Sequence, residues 1–112
     1  MIVEVNVWPE VSADFRALPT DKVRWEAFRY MAILRTKPYY GKPLRDHPTL
    51  HDLSDCRKIY LDESHDIEPR WRIVYRLLPD DANPTSVDVI GIWPREDDAA
   101  YHEAARRLGR VG

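Results

Sequence analysis

The 112-residue sequence has few of the residues that mark several common kinds of protein. Its single cysteine, Cys56, cannot form an internal disulfide, and such a thiol is usually buried and inert. No apolar run approaches the roughly 18 residues of a membrane-spanning helix, and the first residues lack a basic segment followed by an apolar core. We therefore expect a cytoplasmic protein that does not enter a membrane.

Neither sign of charge dominates the chain. Its 17 Lys and Arg and 19 Asp and Glu residues give a formal net charge of −2. Dedicated binders of duplex nucleic acid usually carry a clear basic excess, so the global charge argues against that class. A local basic site remains compatible with it. With 44% apolar and 32% charged residues, residues 1–112 are predicted to form one globular domain.

The first third of the chain predicts one strand and two helices. Ile2–Trp8 alternates apolar and polar residues, as a half-exposed strand does. Pro9 suits the first position of a short helix, which Pro19 ends. Thr20 suits the N-cap of a longer helix that reaches about Lys37.

The longer helix carries more apolar side chains than one buried stripe needs. The stripe is predicted at helical spacing by Val23, Ala27, Met31 and Leu34. A second group widens the apolar surface: Trp25, Phe28, Tyr30 and Ile33. These side chains either face a partner protein or complete the core, and we favour the core.

An irregular connection is predicted over residues 38–53. His47 and His51 lie there four residues apart, with Asp46 and Asp52 nearby, which is a pattern that can suggest a metal site. No helix is indicated around them, and the Cys/His clustering typical of zinc sites is missing. We interpret both as ordinary loop histidines and expect neither a metal nor a cofactor.

The rest of the chain predicts three strands and a helix. Asp55–Leu61, Trp71–Leu78 and Ser86–Trp93 are rich in β-branched and aromatic residues and are separated by polar, turn-forming segments. The last helix begins at Asp97 or Asp98. The order β-α-α-β-β-β-α predicts an α+β fold with a mostly antiparallel sheet packed by helices.

Side-chain alternation predicts a cationic patch on this sheet. Arg72 and Arg76 share one face of their strand. Lys58 and Tyr60 follow the same two-residue period in the preceding strand, so strand pairing puts Lys58, Tyr60 and Arg72 on one surface. Such a patch is unusual in a small domain, and we take it as the first indication of function.

The same arginines also have a purely structural interpretation. Arg72 and Arg76 can pair with the acidic residues of their own hairpin, and Arg95 can pair with Asp97 or Asp98. Surface pairs of this kind contribute only about 0–1 kcal/mol and need no function. From spacing alone, this interpretation is the simpler one for any single arginine.

Four segments of the second half form a series whose order and spacing are more specific than any one of them: Leu53–Leu61, Trp71–Tyr75, Val87–Arg95 and Tyr101–Leu108. Together they resemble the RelE/ParE superfamily of bacterial toxin–antitoxin modules. The resemblance is closer to RelE, a ribosome-dependent messenger-RNA endonuclease, than to ParE, an inhibitor of DNA gyrase. It is close over half of the chain, and the predicted element order extends it over nearly all.

The resemblance implies an active site of basic residues and a tyrosine on the sheet and the last helix. Four residues match its catalytic positions: Lys58, Arg72, Arg95 and Tyr101. Tyr60 lies where RelE has a second lysine, a favoured candidate for the general base. We assign Tyr60 and Arg76 to substrate binding.

The reaction that the resemblance implies needs no metal. A ribose 2′-hydroxyl attacks the adjacent phosphate and the 5′-oxygen leaves, which requires proton removal, charge stabilisation at phosphorus and protonation of the leaving group. Arg72 and Arg95 suit the phosphate, because a guanidinium keeps its charge and presents a planar fork of donors. Tyr60 could accept the proton only if neighbouring cations strongly depressed its pKa, normally about 10, so we favour stacking on a base.

The leading hypothesis is a toxin that cleaves messenger RNA on the ribosome and is neutralised by a cognate antitoxin. The ribosome would provide much of the substrate positioning, which explains why the chain lacks a basic excess. Two other functions stay open: a ParE-like inhibitor of DNA gyrase, and a catalytically weak relative that acts through antitoxin binding. Tyr60 and an acidic loop before Trp71 that is longer than in RelE favour the last.

Overall fold

The computed structural model describes residues 1–44 and 52–110, so His47 and His51 lie outside the described residues. The elements in chain order are β1 (Glu4–Val7), α1 (Val11–Ala17), α2 (Asp21–Ile33), β2 (Lys42–Pro43), β3 (Cys56–Leu61), β4 (Trp71–Leu78), β5 (Ser86–Pro94), a 3₁₀ turn (Glu96–Asp98) and α3 (Ala99–Arg107). The strands form one sheet in the order β1-β5-β4-β3-β2, in which β1 runs parallel to β5 and the other neighbours are antiparallel. The predicted α+β fold with a mostly antiparallel sheet is confirmed.

The predicted elements differ from the observed ones mainly at their ends. β4 has the predicted bounds, but α2 ends at Ile33, before the predicted end at Lys37. There the chain tightens into turns whose N–H groups bond the carbonyl three residues back, as in Thr36 to Ile33. The two-residue β2 was not predicted, because only its pairing with β3 makes it a strand. No helix in the described part of the chain is long and apolar enough to cross a bilayer.

The sheet is covered by helices on both faces. On the α1–α2 face, a buried core joins the two helices to the sheet through side chains that include Leu18, Ala27, Ile73 and Val89. On the α3 face, a second core joins the last helix to the sheet through side chains that include Cys56, Val74, Trp93 and Ala104. Because both faces are covered, the alternating residues of the central strands are nearly all buried, which explains why their apolar runs are almost continuous.

Two apolar side chains of α2 do not join either core. Trp25 is 64% exposed and Phe28 is 54% exposed, and their rings stack with centroids 5.9 Å apart. Helical geometry explains this, because Val23 and Ala27 turn towards the sheet and Trp25 lies on the opposite side of the helix. The prediction that these two aromatic residues complete the core is therefore wrong.

β5 contains a β-bulge. The register with β4 pairs Tyr75 with Val89 and Val74 with Gly91, so Ile90 has no partner. An extra residue of this kind shifts the two-residue alternation of every side chain that follows it. The bulge therefore decides which residues at the end of β5 reach the α3 face.

The shifted alternation brings Trp93 to the α3 face. Without the bulge Ile92 would lie there, but Ile92 packs in the α1–α2 core and Trp93 packs beside α3. Trp93 is thereby the direct partner of Arg72 across the β4–β5 ladder. Glycine is required at position 91, because a Cβ there would lie 2.3 Å from a ring carbon of Trp93.

A partly buried ion pair between α1 and α3 holds the bulge. Arg107 donates hydrogen bonds of 2.6 and 2.9 Å to the Asp14 carboxylate and one of 3.0 Å to the Ile90 carbonyl. Asp14 also accepts a 3.1 Å bond from the Ile92 N–H. The pair thus binds backbone groups on both sides of Gly91 and links two helices to β5.

We expect Asp14→Asn to lower the free energy of unfolding by about 2–3 kcal/mol, because Arg107 would lose its counter-ion in a site where only 19% of its side chain is exposed. Asp21→Asn is the matched control, since the Asp21 side chain is 98% exposed beside Arg24 and its loss should cost about 0–1 kcal/mol. Urea denaturation of both variants measures the difference. Equal losses would show that the Asp14–Arg107 pair does not hold the fold.

Candidate active site

Three cationic side chains converge on the ring of Tyr60, on the α3 face of the sheet. Tyr60 lies directly across the β3–β4 ladder from Arg72. Its ring centroid is 5.0 Å from the Lys58 Nζ atom, 5.1 Å from the Arg72 Cζ atom and 5.6 Å from the Arg95 Cζ atom. β3, β4 and the residue after β5 therefore each place one cation beside the same ring.

Tyr101 closes this group from α3. Its ring lies 4.6 Å from the Arg72 Cζ atom and 5.9 Å from the Lys58 Nζ atom. The Lys58 ammonium donates a 3.3 Å hydrogen bond to the Tyr101 hydroxyl. We call these five residues the cationic cluster: Lys58, Tyr60, Arg72, Arg95 and Tyr101.

Arg72 is almost fully buried, with 6% of its surface exposed. Its Nε and Nη1 atoms are buried without a hydrogen-bond acceptor within the described chain. In residues 1–44 and 52–110 no carboxylate forms an ion pair with Arg72 or Lys58. Contacts with aromatic rings contribute about 0.5–2 kcal/mol each and offset part of the cost of burying the charge. An anionic ligand would provide the acceptors that Arg72 lacks.

The cluster shifts the pKa values of two of its members in opposite directions. Burial disfavours the Lys58 ammonium, but interactions with the hydroxyls of Tyr60 and Tyr101 outweigh it and raise the pKa of Lys58. Burial disfavours the Tyr60 phenolate, but Lys58 and Arg72 outweigh it and hold the pKa of Tyr60 below its ordinary value of 10.0. Lys58 is therefore charged at neutral pH, and Tyr60 is more acidic than a free tyrosine.

Arg95 is the exposed member of the cluster. Its side chain is 43% exposed and pairs with Glu68 of the β3–β4 hairpin, with 3.2 Å between Nη1 and Oε1. The structural interpretation of the sequence offered Asp97 or Asp98 as the partner and missed Glu68, because pairing across 27 residues leaves no local pattern. An exposed pair of this kind contributes about 0–1 kcal/mol, so an incoming phosphate can displace Glu68.

The hairpin that carries Glu68 is anchored at its base by Asp62. This buried carboxylate accepts hydrogen bonds from the Arg70 guanidinium, at 2.8 Å from both Nε and Nη2, and from the backbone N–H groups of Glu63 and Arg70. The bonds from Arg70 lower the pKa of Asp62 to about 2. Asp62 therefore pairs with Arg70 and not with Arg72, which was the alternative that the structural interpretation of the sequence offered.

Arg76 is not part of the cationic cluster. It lies four residues from Arg72 on the same strand, roughly 13 Å away by strand geometry. Its guanidinium pairs with Asp88 at 3.2 Å and lies 5.6 Å from the Trp8 ring. Its charge is thus neutralised within the fold, and its assignment to substrate binding stays a prediction.

Five of the six site residues that the sequence predicted lie together, and Arg76 is the exception. The resemblance predicted the four catalytic positions, and strand alternation predicted that Lys58, Tyr60 and Arg72 share one surface. Sequence reasoning missed the Asp14–Arg107 pair that positions the end of β5, whose partners are 93 residues apart.

No protein-family model matches the sequence, and no curated protein is significantly similar to it. Solved structures do match its fold. A double arginine-to-alanine mutant of the Escherichia coli toxin RelE in the free state superimposes with a TM-score of 0.68 at 24% identity, covering 96% of this chain and 99% of that chain. The resemblance to RelE is therefore confirmed at the level of the fold.

Two further matches are structures of toxin–antitoxin complexes. The RelBE2 complex of Mycobacterium tuberculosis gives a TM-score of 0.59 at 20% identity, covering 85% of this chain and 100% of that chain. The E. coli RelE mutant bound to the antitoxin peptide RelBc gives a TM-score of 0.59 at 24% identity, covering 93% and 95%. The same fold thus occurs in toxins solved with and without an antitoxin.

Proposed function

We propose that this chain is the toxin of a toxin–antitoxin pair and that it cleaves messenger RNA on the ribosome in the cytoplasm. The observation that carries the proposal is Arg72, a buried arginine without a counter-ion in the described residues, beside Lys58 and Arg95. The fold shared with RelE toxins supports an RNA phosphate as the anion that this cationic cluster binds.

The geometry of the cluster suits the charge that develops at phosphorus. Arg72 is held between strand and helix by contacts with the rings of Tyr60 and Tyr101, so little reorganisation is needed when the phosphate gains charge. Arg95 lies at the exposed side, where the substrate enters and replaces Glu68. Two guanidinium groups then offer forked donors to the phosphoryl oxygens.

Lys58 completes the electrostatic stabilisation. Its raised pKa keeps the ammonium charged at neutral pH, so Lys58 suits stabilisation of the attacked phosphate and protonation of the leaving 5′-oxygen. Lys58 does not suit removal of the 2′-hydroxyl proton, because a charged ammonium has no free electron pair. Tyr101 positions Lys58 through their hydrogen bond and flanks Arg72 with its ring.

The ribosome has a physical role in this proposal. The chain has a formal net charge of −2, so it lacks the general attraction to RNA that a strongly basic protein has. A ribosome that presents the message in a fixed conformation converts the encounter into a nearly intramolecular reaction. The small cationic cluster then needs to recognise only the phosphate that is cleaved.

A second candidate function is antitoxin binding with little turnover. The Glu68–Arg95 pair and the tyrosine at position 60 favour it, since loss of a general base lowers a rate by about 10²–10⁴. Within the described residues, no observation favours inhibition of DNA gyrase.

Expression of the chain is expected to arrest growth and stop amino-acid incorporation, and Arg72→Ala is expected to relieve both. Loss of one preorganised donor to the transition state lowers the rate by about 10²–10³. Arg106→Ala is the matched control, because Arg106 is an exposed arginine of α3 paired with Glu103. A folded Arg72→Ala variant that still arrests growth would contradict the proposal. Arrest with DNA-damage signalling and continued translation would indicate gyrase instead.

We propose an antitoxin as the protein partner, and the apolar surface around Trp25 and Phe28 as one place where it docks. The two exposed rings border shallow apolar grooves lined also by Phe15, Val7 and Met31. Exposed apolar surfaces of this kind typically bind a partner helix or an extended segment. This surface is on the α1–α2 side of the sheet, so it is separate from the cationic cluster.

The double substitution Trp25→Ser and Phe28→Ser is expected to weaken antitoxin binding at least about tenfold, because aromatic anchors often contribute more than 1 kcal/mol each. Messenger-RNA cleavage should be unchanged, since the cluster lies across the sheet. Tyr40→Ser removes an exposed aromatic side chain outside these grooves and serves as the control. Titration calorimetry with the antitoxin measures the effect, and an unchanged affinity would contradict the proposed docking surface.

A further inference from the structure

We infer that Tyr60 accepts the proton of the ribose 2′-hydroxyl in the proposed reaction. The inference rests on the proposed function and names a role for the residue at which this chain departs from RelE. Stacking on a base was the role favoured from the sequence. The structure puts three cations around the Tyr60 ring, at 5.0, 5.1 and 5.6 Å from its centroid. The ring is therefore already in contact with these cations and is less available to stack on a base.

Cations from three neighbouring segments surround Tyr60 and favour its deprotonated form. Lys58 of β3, Arg72 of β4 and Arg95 after β5 face its ring, and Tyr101 of α3 contributes a hydroxyl. Burial raises the pKa of Tyr60, but Lys58 and Arg72 outweigh it and hold that pKa below 10.0. A phenolate formed there has a positive charge beside it and needs no further counter-ion.

Most acidic groups near Tyr60 have a basic partner of their own. On the hairpin, Asp62 is paired with Arg70 and Glu68 with Arg95, whereas Glu63 accepts a hydrogen bond from the Thr20 hydroxyl. Glu26 of α2, which lines a cleft with Tyr60, is paired with Arg29, and His65 lines the same cleft and contacts Asp66. The negative charges are therefore largely compensated, and the three cations dominate the surroundings of the phenol.

Among the residues of the cluster, Tyr60 is the one that is both accessible to a substrate and able to accept a proton. Lys58 holds its proton at neutral pH, because its pKa is raised. Tyr101 is only 8% exposed, and its hydroxyl accepts a bond from Lys58. Tyr60 is half-buried at the edge of the cluster, so it is more accessible to a substrate than Tyr101 is.

The proton balance of the step closes within the cluster. The 2′-hydroxyl proton passes to the Tyr60 phenolate oxygen as the 2′-oxygen forms its bond to phosphorus. The bond from phosphorus to the 5′-oxygen breaks, and that oxygen takes a proton from the Lys58 ammonium. The products are a 2′,3′-cyclic phosphate and a 5′-hydroxyl. Transfer of the proton from Tyr60 to neutral Lys58 then restores the starting state.

Single-turnover cleavage of a defined message on programmed ribosomes, followed from about pH 6 to pH 9, tests the inference below the ordinary tyrosine pKa of about 10. The wild-type rate should rise with pH over this range, because the fraction of Tyr60 present as phenolate rises. Tyr60→Phe keeps the ring but not the hydroxyl, and it should lose about 10²–10⁴ in rate together with the pH dependence.

The outcomes separate this inference from the proposed function. A Tyr60→Phe variant that cleaves at the wild-type rate with the same pH dependence would overturn the role of Tyr60 and leave the proposed function in place, since an aromatic ring that only stacks is preserved in phenylalanine. Absence of cleavage by the wild-type protein would overturn both. Equal melting temperatures of the wild type and Tyr60→Phe establish that the rates compare folded proteins.

Discussion

A buried guanidinium without a counter-ion is the constraint on which the site depends. Arg72 is 6% exposed, and two of its nitrogen atoms lack an acceptor in the described residues. Such a charge is unfavourable in a protein interior unless aromatic faces or an anion compensate it. β3 must therefore present Tyr60 in direct register, and α3 must hold Tyr101 against the sheet.

The other buried and partly buried charges of the described residues discussed above are paired, which makes this exception informative. Asp14 and Arg107 form a two-bond pair, Asp62 is bound by Arg70, and Arg76 is neutralised by Asp88. In these places the fold pairs each charge with an opposite charge, as stability requires. Among the residues described, Arg72 and Lys58 have no such partner, and these two lie where the resemblance to RelE implies the active site.

The parts of this arrangement that follow from local pattern were predictable from the sequence. Alternation in β3 and β4 predicted that Lys58, Tyr60 and Arg72 share one surface, and the β-rich composition of β4 gave its bounds. The bulge at Ile90 has only Gly91 as a local sign, since a glycine within a strand often marks irregular pairing. Ion pairs between segments that are far apart in the sequence leave no periodic pattern from which they could be predicted.

The misassigned aromatic residues of α2 show a different limit. Helical spacing gives the angular position of Trp25 and Phe28, but it does not tell how wide a stripe the neighbouring elements can cover. α2 buries Val23, Ala27 and Leu34 and leaves the two rings exposed. The extent of a buried surface depends on which elements pack against it, and this is fixed by the tertiary structure.

The fold is that of RelE toxins, whereas the proposed chemistry depends on a tyrosine, Tyr60, at the position where RelE has a lysine. The most direct test is to map the ends of messenger RNA in a translating extract to which the purified protein is added, with Arg95→Ala beside it. The account predicts new ends at ribosome-occupied codons, bearing a 5′-hydroxyl, that are absent with the variant. Intact messages in the presence of folded protein and active ribosomes would contradict it.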